Sequence, residues 1–250
     1  MDAHKNSLCS FVIPSLLSLG FIICIIFSYM GKVNPDVCVL SCQIIASLFA
    51  ILYGVINYKK MNKTLYMQIL ICGCVCYLLG QCYWVVHFIT FGDVPWGSSI
   101  ATISLIGFYL FICSAEYGSL DSIVDGVHDK SLRKYRTVSI IAPIVILCLL
   151  VTALSSGADK LECTARSIPI MFASYYTFKH MIIPDVKNGY TVLLRPYYKI
   201  MLLFYVLDMV SMIPYKSNGL YINYYVEALV AILLMFMMVV VTRGIKRWFI

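Results

Sequence analysis

Apolar residues fill this chain almost from end to end, interrupted only by short gaps, and the basic residues gather in every second gap. A stretch of about 20 uncharged apolar residues is long enough to cross the hydrocarbon core of a bilayer. Eight such stretches run along the chain: Leu8–Met30, Val37–Tyr58, Leu65–Thr90, Ser98–Gly118, Thr137–Leu154, Thr164–Ile183, Thr191–Pro214 and Tyr221–Thr242. The sequence therefore predicts an all-α, polytopic bundle of eight transmembrane helices, one domain over residues 1–250. The sixth stretch is the least apolar, because Arg166 and Lys179 shorten its core, and it spans only if Lys179 snorkels to the interface. With 61% hydrophobic and 12% charged residues, against about a quarter charged in a soluble domain, no soluble domain is expected beside the bundle. Leu8–Met30 is too long for the apolar region of a cleaved signal and reads as a retained first span.

The charges orient the bundle. One set of gaps and span ends holds Lys5, Lys59, Lys60, Lys63, Lys130, Arg133, Lys134, Arg136, Lys179, Lys187, Arg195, Lys199, Arg243, Lys246 and Arg247. The other set holds only Lys32, Lys160, Arg166 and Lys216 of the 19 basic residues. Cytoplasmic loops are the basic ones, so both termini are expected in the cytoplasm of a multi-pass cell-membrane protein. Because the cations flank apolar spans and form no stripe, the net charge of +7 reflects orientation and excludes a nucleic-acid partner. The outer connections are short and rich in turn formers, such as Asn34-Pro35, Ser156-Gly157 and Asn218-Gly219. The one long connection is the cytoplasmic 119–136, a hairpin suited to docking a partner protein.

No cofactor or metal is expected. The histidines His4, His87, His128 and His180 are scattered over both sides, whereas zinc takes three or four ligands. Eleven cysteines carry no Cys-x-x-Cys pattern and read as small packing residues. Spacing leaves open a disulfide between Cys38 or Cys42 and Cys163.

A carboxylate at membrane depth costs about 3 kcal/mol on insertion scales, which makes it a functional candidate. Glu116, Asp208 and Glu227 stand in that position. Asp208 and Glu227 lie on consecutive antiparallel spans, each about ten residues from the turn between them, so about 1.5 Å per residue puts them at one depth in the outer half of the membrane. Helical spacing aligns Tyr197, Tyr205, Asp208, Ser211 and Tyr215 on one face, and Asn223, Tyr224 and Glu227 on another. The third span adds a stripe of Gly73, Tyr77, Gly80, Gln81, Trp84 and His87. Gln43 and Arg166 complete an expected outward-facing pocket, built from spans 2, 3, 6, 7 and 8, whose ligand-binding residues are Gln43, Gln81, Trp84, His87, Tyr205, Asp208, Tyr224 and Glu227. If Asp208 and Glu227 touch, they cannot both ionise, and the pair suits a cation or a proton. The alternative is a hydrogen-bonded network that only fixes helix packing. At the cytoplasmic end, Glu116 and Gln68 share a level and suit an inner gate.

The composition and this pocket favour a handler of a small molecule or ion over an enzyme. Such a protein is a transporter, for which a homodimer is expected, or a sensor signalling through 119–136 to a separate partner. A second reading is an intramembrane hydrolase acting on lipid with Asp208 and Glu227 as acid and base. Leu79-Gly80 in the third span, Asp208 in the seventh and Tyr224-Tyr225 in the eighth faintly resemble the lysoplasmalogenase family, a resemblance that implies cleavage of ether lipids. That family carries an acidic residue where Gln81 stands. A third reading is an accessory subunit whose helices serve assembly alone.

Overall fold

Where the chain is apolar it has no way to satisfy its backbone in lipid except as helix, and helices account for nearly all of the structure. The computed structural model describes residues 2–59, 64–92, 98–121, 132–183, 189–214, 216–217, 220–221 and 223–248. In chain order the helices are α1 (Asp2–Tyr29), α2 (Pro35–Tyr58), α3 (Leu65–Phe91), α4 (Ile100–Ser114), α5 (Arg133–Ser139), α6 (Ile141–Ser155), α7 (Lys160–Ile182), α8 (Gly189–Ser211) and α9 (Asn223–Trp248). A π-helical segment, Ala115–Asp121, continues α4. Between α8 and α9 lies a minimal antiparallel ladder, Lys216–Ser217 with Leu220–Tyr221, in which Lys216 faces Tyr221 and Ser217 faces Leu220.

Six segments are long and apolar enough to cross a membrane: Phe11–Tyr29, Pro35–Tyr58, Leu65–Phe91, Ile100–Gly118, Arg133–Ser155 and Asn223–Arg247. That is the mark of a multi-pass membrane protein. α7 and α8 fall outside this measure among the described residues, because α7 carries Lys160, Glu162, Arg166 and Lys179 and α8 carries Arg195, Lys199 and Asp208. The expected count of eight thus reduces, on length and hydropathy, to six.

Local chemistry sets the helix ends. Asn34 caps α2 by accepting the Asp36 amide at 2.8 Å, with Pro35 as the first helical residue. Gly92 closes α3 in the left-handed region at φ 83°, its N–H donating to the Phe88 carbonyl at 2.8 Å. Asp159 caps α7 by accepting the Glu162 amide at 2.7 Å, and the same oxygen accepts the Ser98 hydroxyl at 2.8 Å. One carboxylate therefore joins the start of α7 to the segment leading into α4. The fifth apolar stretch, expected as one helix, is broken at Ile140. Pro143 explains the break: it has no N–H for the Ser139 carbonyl, and its ring crowds that carbonyl. The break also moves Arg133–Arg136 from the expected loop into α5, while the middle of that loop, 122–131, lies outside the described residues.

α9 is the hub, packing against α8, α2 and α1, and 67% of its apolar window is buried, against 17% for α1 at the periphery. α3 packs on α4 and α2, and α7 on α6, α8 and α4. The core between them is unusually aromatic: Tyr77, Phe108, Tyr109, Tyr197, Tyr198, Phe204 and Tyr205 are all buried. Met237 and Met238 of α9 are buried in it as well, while Met235 is buried in a second cluster with Phe21, Cys38 and Cys42.

Candidate functional site

The polar residues of α7 explain why this helix is the least apolar. Cys163, Arg166, Ser167, Ser174, Thr177 and His180 recur at helical spacing and are buried. The helix turns its charges toward its neighbours. Arg166, 7% exposed, donates from Nη2 to Oδ1 of Asp208 on α8. Its Nη1 lies 3.6 Å from Oε1 of Glu162, one turn back on α7. On α9, Glu227 accepts at Oε2 from Nε2 of Gln43 on α2, at 3.3 Å. Asn223, at the start of α9, reaches back to the Ser211 carbonyl at the end of α8, at 2.7 Å.

These groups border a cavity of about 390 Å³. Asp36 and Leu40 come to it from α2, Trp84 from α3, Asp159, Glu162 and Arg166 from the start of α7, Ser211 from α8, and Asn223, Tyr224 and Glu227 from α9. Of the residues expected in the pocket, Trp84, Tyr224 and Glu227 line it directly. Gln43 and Asp208 stand behind it, joined to Glu227 and Arg166. Gln81 is fully buried, and neither its amide nitrogen nor its oxygen has a partner among the described residues. Oδ2 of Asp208 and the Trp84 indole N–H are likewise buried without one.

Two residues lie elsewhere. His87 stacks along the end of α3, between Tyr83 at 6.2 Å and Phe91 at 4.6 Å, and is not among the cavity's lining residues. Tyr205 sits deeper, its hydroxyl 3.3 Å from that of Thr177 and its ring 6.1 Å from Tyr109. The glycines of the expected α3 stripe serve packing. A Cβ on Gly80 would lie 3.2 Å from the Ser104 side chain and 3.3 Å from the Ala101 carbonyl, so α3 and α4 touch there.

Asp208 and Glu227 each have a hydrogen-bond partner from another helix: Asp208 takes Arg166 and Glu227 takes Gln43. Gln43 and Arg166, which the sequence places beside these acids, supply the partners. Asp36, Asp159 and Glu162 sit at helix starts, where an acid satisfies the N-terminal amides, and the sequence offers no further reason to place them at a cavity. The Glu162 amide and the Ser98 hydroxyl both donate to Asp159 and hold its carboxyl below the ordinary value.

At the other end of the bundle the inner residues separate. Gln68 is on an exposed face of α3, accepting from the Tyr58 hydroxyl at 3.3 Å. Glu116 is fully buried in the π-helical segment, accepting the Tyr66 hydroxyl at 2.8 Å and facing His180 Nδ1 at 2.9 Å. His180, one of four histidines scattered along the sequence, falls by helical spacing on the same polar face as Arg166 and Thr177. Cys38, Cys42 and Cys163 are free thiols.

Comparison with protein-family models, curated proteins and solved structures finds no match to this chain. The faint likeness to lysoplasmalogenases therefore goes no further, and function rests on the geometry.

Proposed function

We propose that this is an eight-span membrane protein of the cell membrane, with both termini cytoplasmic, that binds a small organic cation in an outward-facing pocket. It acts as a transporter or as a sensor for that cation. The charge balance of the cavity carries the reading. Among the described residues Arg166 is the basic group on the lining, facing Asp208 and Glu162; Asp36, Asp159 and Glu227 remain, with Trp84 and Tyr224 beside them. Surplus carboxylates next to aromatic faces suit an ammonium group, through charge and through cation–π contact. The size is that of a small-molecule pocket.

Two observations support eight spans over six. α7 and α8 are 23 residues each, or about 35 Å at about 1.5 Å per residue, enough for a core of about 30 Å. Three of their charges, Arg166, Lys179 and Asp208, are buried, at 7%, 2% and 2% exposure, so part of the low hydropathy lies inside the bundle, while Lys160 and Lys199 are exposed.

The test is a titration of purified protein in lipid nanodiscs with small primary and quaternary amines, and with carboxylates of matched size, read by tryptophan fluorescence with Trp84→Phe as the control. Amines that quench only when Trp84 is present support the proposal. Preference for the carboxylates overturns it. Uptake of the labelled amine into proteoliposomes then separates transport from sensing.

A further inference from the structure

Three cysteines gather away from the lining of the cavity. Spacing alone leaves open a bridge from Cys38 or Cys42 to Cys163, but the structure divides these residues differently. Cys163 belongs to the main core and lines the cavity. Cys38 and Cys42 sit in a separate cluster with Phe21, Ala46, Ala231 and Met235, and Cys24 of α1 packs against that cluster. The Cys38 thiol is within electrostatic reach of Cys24 and Cys42, and the Cys42 thiol is within reach of Cys24.

Helix geometry explains the meeting. α1 and α2 are consecutive, joined by the short connection 30–34, and pack against each other. Cys24 lies five residues before the end of α1 at Tyr29; Cys38 and Cys42 lie three and seven residues after the start of α2 at Pro35. At about 1.5 Å per residue their distances from the helix ends are about 7.5, 4.5 and 10.5 Å. Cys24 thus falls between the other two in depth. A spacing of four puts Cys38 and Cys42 on one face of α2, and the cluster shows that this face meets α1 and α9.

We infer that Cys24 forms a disulfide with Cys38, with Cys42 as the alternate partner, and that this bond locks α1 to the helix that walls the cavity.

Exposure sets the order of events. Cys24 is partly exposed, whereas Cys38 and Cys42 are each 2% exposed, so a small disulfide oxidant meets Cys24 first. The Cys24 thiol gives up its proton, its sulfur attacks one sulfur of the oxidant, and the other half of the oxidant leaves and takes up that proton. The Cys38 thiol then gives up its proton and attacks the Cys24 sulfur of the mixed disulfide, and the second half leaves as a thiol with that proton. The protein dithiol is oxidised by two electrons, and the oxidant is reduced to two thiols. Among the described residues no three histidine, cysteine or acidic groups gather into a metal site. α1 has room to meet the exacting geometry of a disulfide, since only 17% of its apolar window is buried.

The bond reaches the cavity through α2. Asp36, Val39 and Leu40, which border the cavity, flank Cys38 in the chain. In the proposed orientation this end of the bundle faces outward, where disulfides persist. The cellular setting of the site rests on that orientation; its sulfur chemistry depends neither on it nor on what the cavity binds.

The protein in nanodiscs is treated with dipyridyl disulfide, a small oxidant soluble in water and lipid, or in parallel with dithiothreitol. Remaining thiols are blocked with N-ethylmaleimide in dodecyl sulfate, and the chain is cut with trypsin. Lys32 separates Cys24 from Cys38 and Cys42. After oxidation, mass spectrometry should find the peptide Asn6–Lys32 joined to Val33–Lys59, with fragment spectra placing the bond at Cys24; after dithiothreitol the two should run apart. Cys24→Ser should abolish the joined pair, and Cys9→Ser should leave it. The double variant Cys38→Ser with Cys42→Ser should lose it too, which gives a second reading should Cys24→Ser fail to fold. No joined pair in the oxidised parent, a joined pair that survives Cys24→Ser, or Val33–Lys59 joined instead to the peptide that holds Cys163 overturns the inference.

Discussion

Replacing Arg166 by Met exposes the energetic logic of the cavity wall most sharply. The substitution keeps the length of the side chain and removes its charge. Asp208, 2% exposed, then loses the guanidinium at Oδ1, and its Oδ2 is already without a partner. Removing one member of a buried ion pair leaves the other charged and desolvated, at a cost of about 3–5 kcal/mol. The reciprocal change, Asp208→Asn, should cost less. Arg166 keeps Glu162 at 3.6 Å and borders the cavity, so the loss approaches that of one charge-assisted hydrogen bond, about 1.5–3 kcal/mol. The double variant Arg166→Met with Asp208→Asn should be more stable than Arg166→Met alone, because no buried charge is left uncompensated. Unfolding in mixed micelles of mild detergent and dodecyl sulfate, followed by circular dichroism, gives the three free energies, and a double-mutant cycle extracts the coupling. Additive losses, or Arg166→Met within about 0.5 kcal/mol of the parent protein, would show that the pair is not the neutralising element described above.

Three further outcomes follow from separate contacts. Glu227→Gln should weaken binding of whichever amine the titration identifies by at least about tenfold, or about 1.4 kcal/mol, while the matched Gln43→Glu, which adds an acid, should not; equilibrium titration checks both. Asp159→Ala should cost about 1 kcal/mol through loss of the α7 cap. Since the Asp159 carboxyl is held below its ordinary value by the Glu162 amide and the Ser98 hydroxyl, its stabilisation is complete above that ordinary value and fades as pH falls through the lowered one. The gap in unfolding midpoint between parent and Asp159→Ala should therefore close in acid. Gly80→Val should cost about 1–3 kcal/mol by overpacking, because its Cβ meets Ser104 and the Ala101 carbonyl at 3.2 and 3.3 Å; a neutral result in thermal unfolding would mean α3 and α4 separate freely.

Hydropathy located the helices because a lipid-buried backbone has few alternatives, and even the break at Ile140 was written in Pro143. The polar wall was harder to read. Depth along a hairpin is a one-dimensional quantity: it suggests one level for Asp208 and Glu227 and leaves open which acid takes Arg166 and which takes Gln43, because those partners come from helices distant in sequence. The α3 stripe mixed two roles that share a helical face: Trp84 borders the cavity, whereas Gly80 serves contact with α4. His180 was hidden for a simpler reason. A histidine near the end of a span reads as interfacial until the partner that buries it is known, and Glu116 lies 64 residues earlier.

The oxygen of Asp159 that holds both Ser98 and the first turn of α7 belongs to a residue on the cavity rim. On the proposed reading, an ammonium drawn to this carboxylate would compete with a hydroxyl from one connection and an amide from another, so its arrival would reach two covalently remote stretches of chain.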